Sequence, residues 1–154
     1  MPGFLIIAHA PLASALKSVA QHTYPDCACV VAALDVPPEM ALEDIEALAH
    51  ELIVRSGSAE TLIFTDVFGA TPCNAAQRLA NRPDAGIGQI KVVTGVNVPM
   101  LWRSLCYALE SLDAVAARAV AGATQGVIQL TTSRPQNQAH KPASHDQDPD
   151  RHQQ

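Results

Sequence analysis

Phe4-Leu5-Ile6-Ile7-Ala8 is an apolar run with no polar residue inside it. A strand with one solvated face would alternate, so this run fits a strand buried on both faces, as in a parallel sheet covered by helices. Cys27 to Leu34 is a second continuous apolar run, ended by Asp35 and Pro37-Pro38. Thr61 to Thr65 is a third and Gln89 to Thr94 a fourth. Helical spacing fills the gaps. Leu12, Leu16 and Val19 follow Pro11, and the helix runs to about His22. Residues 39–55 carry Met40, Leu42, Ile45, Leu48, Leu52 and Ile53 among acids, which makes an amphipathic helix with an acidic outer face, stopped by Ser56-Gly57-Ser58. Further helices start at Pro72 and Pro99, and an Ala-rich one covers Asp113 to Ala121. Gly126 to Thr131 reads as a short last strand. The alternation predicts an α/β fold: a doubly wound, mostly parallel sheet with helices on both faces.

A chain of 154 residues suits one domain with a sizeable core. Hydrophobic content is 48% but aromatic content only 4%, so the core should be aliphatic and rich in Ala. The composition changes at Ser133. Residues 1–132 are expected to fold. Residues 133–154, rich in Gln, Pro, Asp and His with no aliphatic residue larger than Ala, read as a disordered polar tail. His140, His145 and His152 are solvated tail residues on this reading. The formal net charge of −5 lies wholly in residues 1–132, where 12 Asp and Glu face 7 Lys and Arg. An acidic domain argues against nonspecific nucleic-acid binding. No apolar run approaches the ~20 residues of a membrane helix, and no signal peptide is visible, so a cytoplasmic protein is expected. The four cysteines are accordingly expected as free thiols; Cys27 and Cys29 share a strand face and are not at a metal spacing.

The chemistry sits at strand ends. The first run leads straight into His9, with Pro11 opening a helix. The third leads into Asp66, then Gly69, then Thr71-Pro72. Thr71 is expected to cap that helix, with Pro72 at its first position. Unpaired N–H groups and the helix dipole favour an anion there. Gly95-Val96-Asn97-Val98-Pro99 repeats the pattern, with Asn97 as cap. In an open α/β sheet these loops share the carboxyl edge, where ligands bind. An acid bonded to one ring nitrogen of His9 would fix the tautomer and leave the other nitrogen nucleophilic. That layout suits a phosphoryl acceptor. It also suits a hydrolase with Cys73, in the first helical turn, as nucleophile. No Walker loop, zinc spacing or dinucleotide fingerprint appears.

Across about residues 3–131 the chain resembles the enzyme IIA component of the mannose family of the bacterial phosphoenolpyruvate-dependent sugar phosphotransferase system. Asp66-Val67-Phe68-Gly69-Ala70-Thr71-Pro72-Cys73-Asn74-Ala75-Ala76 is similar to the family's Asp-x-x-Gly-Gly-(Ser/Thr)-Pro-x-Asn-x-Ala. Gly95 to Leu101 and the strand into His9 carry the rest. The resemblance implies that His9 accepts a phosphoryl group from the phosphohistidine carrier protein. It implies that Asp66 holds the ring, and that the Thr71 region, with Ala70 and Gly69, sits beside the phosphoryl group. The group then passes to a IIB-type component during sugar uptake. No metal or cofactor is implied. Family members are homodimers that exchange the last strand, here Gly126 to Thr131, antiparallel on the partner's sheet. Ala10 and Ala70 stand where the family commonly has glycine, and each disfavours positive φ. The polar tail in place of a linker suggests a free-standing IIA protein. That leaves a regulatory module, whose His9 phosphorylation controls protein binding without transport, as the alternative.

Overall fold

The computed structural model describes residues 1–26, 29, 31–82 and 86–130. Strands and helices alternate as expected: β1 (Gly3–His9), α1 (Leu12–Thr23), β2 (Val31–Val36), α2 (Leu42–Ser56), β3 (Glu60–Thr65), α3 (Thr71–Ala80), β4 (Gln89–Thr94), α4 (Val98–Cys106) and α5 (Leu112–Gln125). The strands form one parallel sheet in the order β2-β1-β3-β4. Ile7 lies beside Thr65, and Thr65 beside Thr94.

The uninterrupted apolar runs are explained by two cores, one on each face of the sheet. Phe4, Ile6, Ala8, Leu62 and Phe64 point to the layer of α1, α4 and α5. Leu5, Ile7 and Ile63 point to the layer of α2 and α3. Side chains alternate along a strand, so a strand covered on both faces needs an apolar residue at every position. Phe4 and Phe64 stack with ring centroids 6.1 Å apart on the first face. On the second face Glu46, itself buried, ties α2 to α3. Its carboxylate is 2.7 Å from Arg78 Nε and 3.1 Å from an Arg82 guanidinium nitrogen.

Gly57 ends α2 in the left-handed conformation, the stop expected from Ser56-Gly57-Ser58. The chain enters β4 through Gly88 at φ +64°, where a Cβ would lie 1.9 Å from the Ala59 carbonyl oxygen. Glycine is the residue that fits both constraints.

Several expectations are revised. The second strand was expected from Cys27 but starts at Val31. Cys29 therefore precedes the pleat and is not held in the ladder; it is in a disulfide, against the expectation of free thiols, whereas Cys73 and Cys106 are free. Cys27 lies outside the described residues. Gly126 caps α5, and residues 127–130 form no strand within the single chain. A strand needs a neighbouring strand for its N–H and C=O groups, and among the described residues none pairs with this segment, whose Val127 N–H turns back to the Thr124 carbonyl. Val127, Ile128 and Leu130 are exposed. Thr131 and the whole 133–154 tail lie outside the described residues.

Gly88→Ala should cost about 2 kcal/mol or more, from the strained φ and the Ala59 clash together. Urea unfolding with an unchanged m-value measures it, and wild-type stability would show that the turn into β4 relaxes freely.

Candidate active site

The chain winds β1 to β2 on one side, then returns to place β3 on the other side of β1. After β1 it leaves for α1 on one face; after β3 it leaves for α3 on the other. The connections diverge at the carboxyl ends of β1 and β3, opening the crevice where such folds bind ligands. His9 is the last residue of β1 and Asp66 the first after β3.

The two meet as expected. Asp66 Oδ2 accepts the His9 backbone N–H at 3.0 Å and lies 2.7 Å from His9 Nδ1. Asp66 Oδ1 accepts the Val67 N–H at 2.9 Å. The Asp66 side chain is 9% exposed and that of His9 51%. Desolvation pushes the Asp66 pKa up, but the bonds from the His9 backbone, the His9 ring and the Val67 backbone outweigh it. The net effect holds the carboxyl below its ordinary value. An ionised carboxylate can only accept, so Nδ1 is the protonated nitrogen. Nε2 then carries a lone pair on a ring that faces solvent.

Four helices start at this edge, and their electrostatics differ. On α1, the Ser14 N–H is taken by Asp35 Oδ1 at 3.0 Å. The first turn of α2 holds Glu43 and Asp44. On α4, Asn97 caps as expected, accepting the Met100 N–H at 2.9 Å. Both α1 and α3 lack an acid in the first turn and a side-chain cap, but Asp35 fills the α1 start, so among the described residues α3 alone is left with neither an acid nor a capping side chain. Its N-terminus is the one of the four that is open to an anion.

Thr71, expected as the cap, is instead the first helical residue, and Ala70 is the N-cap at φ −80°, ψ 166°. A cap residue must be extended, and the chain reaches that conformation one residue early. Thr71 is exposed at the helix start. Because Ala70 is not at positive φ, its methyl group in place of glycine strains nothing. The positive φ falls on Gly69, at +79°, the third residue of a turn closed by the Ala70 N–H to Val67 carbonyl bond of 3.3 Å. A type II turn requires such a residue there. Val67 and Phe68 form its outer side, Phe68 being 74% exposed. Cys73 is 1% exposed, which withdraws it from any substrate and removes the hydrolase reading.

Two polar residues acquire jobs that the sequence reading did not give them. Asp35 fills the α1 start; like Asp66 it ends an apolar run, which is the signal that marks it. Asn74 Nδ2 donates to the Gly69 carbonyl at 3.2 Å. Among the described residues no cluster of three or more His, Cys, Asp or Glu side chains is arranged to hold a metal ion.

Fold and site together define a doubly wound α/β protein with a carboxylate-held histidine beside an anion-favouring helix start, an arrangement fit to accept an anionic group. Residues 3–120 match the family model EIIA-man, described as the PTS system fructose IIA component, and the chain belongs to this family of the sugar phosphotransferase system. Solved structures agree on the fold. The phosphotransferase system component EIIA from Streptococcus agalactiae is 24% identical, with 84% of this chain and 97% of that one covered at a TM-score of 0.72. The mannose/sorbose-specific IIA subunit from Enterococcus faecalis is 24% identical, with 86% and 97% covered at 0.72. The IIA protein associated with the fucose utilization operon of Streptococcus pneumoniae is 21% identical, with 83% and 92% covered at 0.67. No curated protein matches the sequence. Among the described residues no helix is long and apolar enough to cross a membrane.

The lowered pKa of Asp66 has a pH consequence. Its folded carboxyl is more acidic than the unfolded one, so its stabilisation is complete above about pH 4 and is lost as pH falls through the folded value. Asp66→Asn should melt below the wild type at neutral pH, with the gap closing in acid. A gap that stays constant across the acid range would contradict the ionised pair.

Proposed function

We propose that His9 accepts a phosphoryl group at Nε2 from the phosphohistidine carrier protein of the sugar phosphotransferase system and passes it to a IIB-type component during carbohydrate uptake. The observation that carries this reading is the 2.7 Å contact between Asp66 and Nδ1 of a half-exposed histidine, beside an α3 start with no side-chain cap. In the forward step the Nε2 lone pair attacks the phosphorus of the donor phosphohistidine. The bond from phosphorus to the donor nitrogen breaks, and the donor ring, protonated at its other nitrogen, leaves neutral. His9 keeps its Nδ1 proton, so positive charge moves onto its ring, where Asp66 faces it. The N–H groups of Gly69 and Thr71 at the α3 start, on either side of the Ala70 N–H that closes the turn, stabilise the phosphoryl oxygens. Every charge in this step is matched by protein groups and the two rings.

An acceptor in the open must be reached by another protein, and exposed Val67 and Phe68 beside it suit such a contact. The reading places the protein in the cytoplasm, where the donor works. The regulatory alternative, in which His9 phosphorylation only controls binding, is not favoured by relatives whose names are those of phosphotransferase-system components.

We also propose a homodimer. β4 is a sheet edge with unpaired backbone groups, and apolar Val127, Ile128 and Leu130 lie exposed in a segment without a ladder of its own. A second copy supplies what each lacks: the segment pairs antiparallel on the partner's β4. Residues 1–132 would then act as the folded unit.

His9→Ala should abolish phosphorylation by phosphoenolpyruvate, enzyme I and the carrier protein while still unfolding cooperatively, at a modestly lower temperature for the lost Asp66 bond; mass spectrometry that preserves phosphohistidine reads the site. Phosphate on a residue other than His9 in the wild type would sink the assignment. For the dimer, Ile128→Asp with Leu130→Asp should give a folded monomer by light scattering; a dimer of unchanged mass would reject the segment's role.

A further inference from the structure

Asn74 lies in the first turn of α3, and its amide Nδ2 donates to the Gly69 carbonyl at 3.2 Å. We propose that Asn74 is the positioning residue of the phosphoryl seat, holding the Gly69–Ala70 peptide so that its carbonyl oxygen is turned into the helix and away from the incoming anion. The inference rests on phosphoryl transfer to His9.

The loop has few other restraints. Val67 N–H is held by Asp66 Oδ1, the long 3.3 Å bond from Ala70 N–H closes the turn, and the Asn74 backbone N–H holds the next carbonyl, that of Ala70, at 2.9 Å. Gly69, at φ +79° with open space where a Cβ would be, adds no steric restraint of its own. A glycine peptide is the one most free to rotate. A carbonyl rotated toward the seat would present its negative end to the phosphoryl oxygens and withdraw the dipole that α3 offers. Among the described residues, Asn74 is the side chain that ties this peptide to the body of α3. Because the Gly69 oxygen can only accept, the amide nitrogen must face it. The bond is therefore lost when the NH₂ is replaced, even at constant shape. Asn74 itself is exposed, so its removal opens no core cavity.

Two substitutions separate the brace from charge and from folding. Asn74→Leu removes the donor without adding charge. Asn74→Asp keeps the shape and replaces the donor with an acceptor, while an acid so near a helix start favours the helix. Transfer from the charged phosphocarrier protein is followed as kcat and KM, with melting temperatures alongside. Both variants should lose about tenfold or more in kcat at little-changed KM for the donor, with Asn74→Asp melting no lower than wild type. Wild-type kcat in Asn74→Leu, with only Asn74→Asp slowed, would overturn the brace and leave a charge effect. A raised KM at unchanged kcat would overturn it in favour of a docking contact. If wild-type His9 takes no phosphate at all, it is the transfer reading that fails, before the variants are compared.

Discussion

The parallel pairing of β1 with β3 is the constraint on which the site depends. Five registered residue pairs, Gly3 with Thr61 through Ile7 with Thr65, run along strands buried on both faces. A slip by one residue would turn every side chain to the opposite layer, exchanging the Phe4, Ile6, Phe64 set for the Leu5, Ile7, Ile63 set. Register is strongly specified when both faces are packed. The same register sets Thr65 beside Ile7, so that Asp66, the next residue, comes within bonding distance of His9 across the switch point. The Asp66 carboxylate is partly desolvated by this arrangement, yet it holds three donors. The packing of the sheet thus offsets the cost of burying an acid at its edge, because it delivers the donors that the acid needs.

Electrostatics then select among equivalent places. A doubly wound sheet puts several helix N-termini on one edge, and each is a general anion site by its dipole. Here three of four are spoken for. Asp35 neutralises α1, Glu43 and Asp44 occupy the first turn of α2, and Asn97 satisfies α4. The exception, α3, follows directly from the Asp66 loop. The acid that holds the histidine and the open helix start therefore belong to one short stretch, Asp66 to Thr71. The turn at Gly69 lets that stretch serve both ends.

The fold was legible because burial on both faces leaves an unmistakable mark: apolar residues without alternation, then a polar residue, then a proline-led helix. His9, Asp66 and Asn97 were legible for the same reason, each following an apolar run. What escaped the sequence reading were contacts whose partners are distant in the chain or whose geometry turns on a single dihedral. Asp35 is marked by the end of an apolar run, as Asp66 is, but its partner Ser14 lies 21 positions away and nothing local names it. Thr71 has the chemistry of a cap, but the extended conformation falls on Ala70, and propensity cannot report a one-residue shift in φ and ψ. Ala70 looked unsuitable beside a glycine pattern, yet the position that requires positive φ is Gly69. Residues 127–130 read as strand because their β propensity is real. A lone segment cannot form a ladder, and a strand is a property of two segments.

The proposed transfer also explains why an acid can sit so close to an acceptor of negatively charged groups. Asp66 binds Nδ1, and the phosphoryl group goes to Nε2, on the far side of the ring. The imidazole separates the two anionic charges while its own positive charge, formed during the step, lies between them. At these separations a charge of opposite sign in the middle outweighs the more distant repulsion, since Coulomb energy falls with distance. Were the ring free to turn, it could offer the same nitrogen to both. The second bond of Asp66 Oδ2, to the backbone N–H of His9, limits that freedom by fixing the carboxylate to the strand itself. Orientation at the site is thereby a property of the β1–β3 pair rather than of the loops, which leaves the loops free to meet a partner protein.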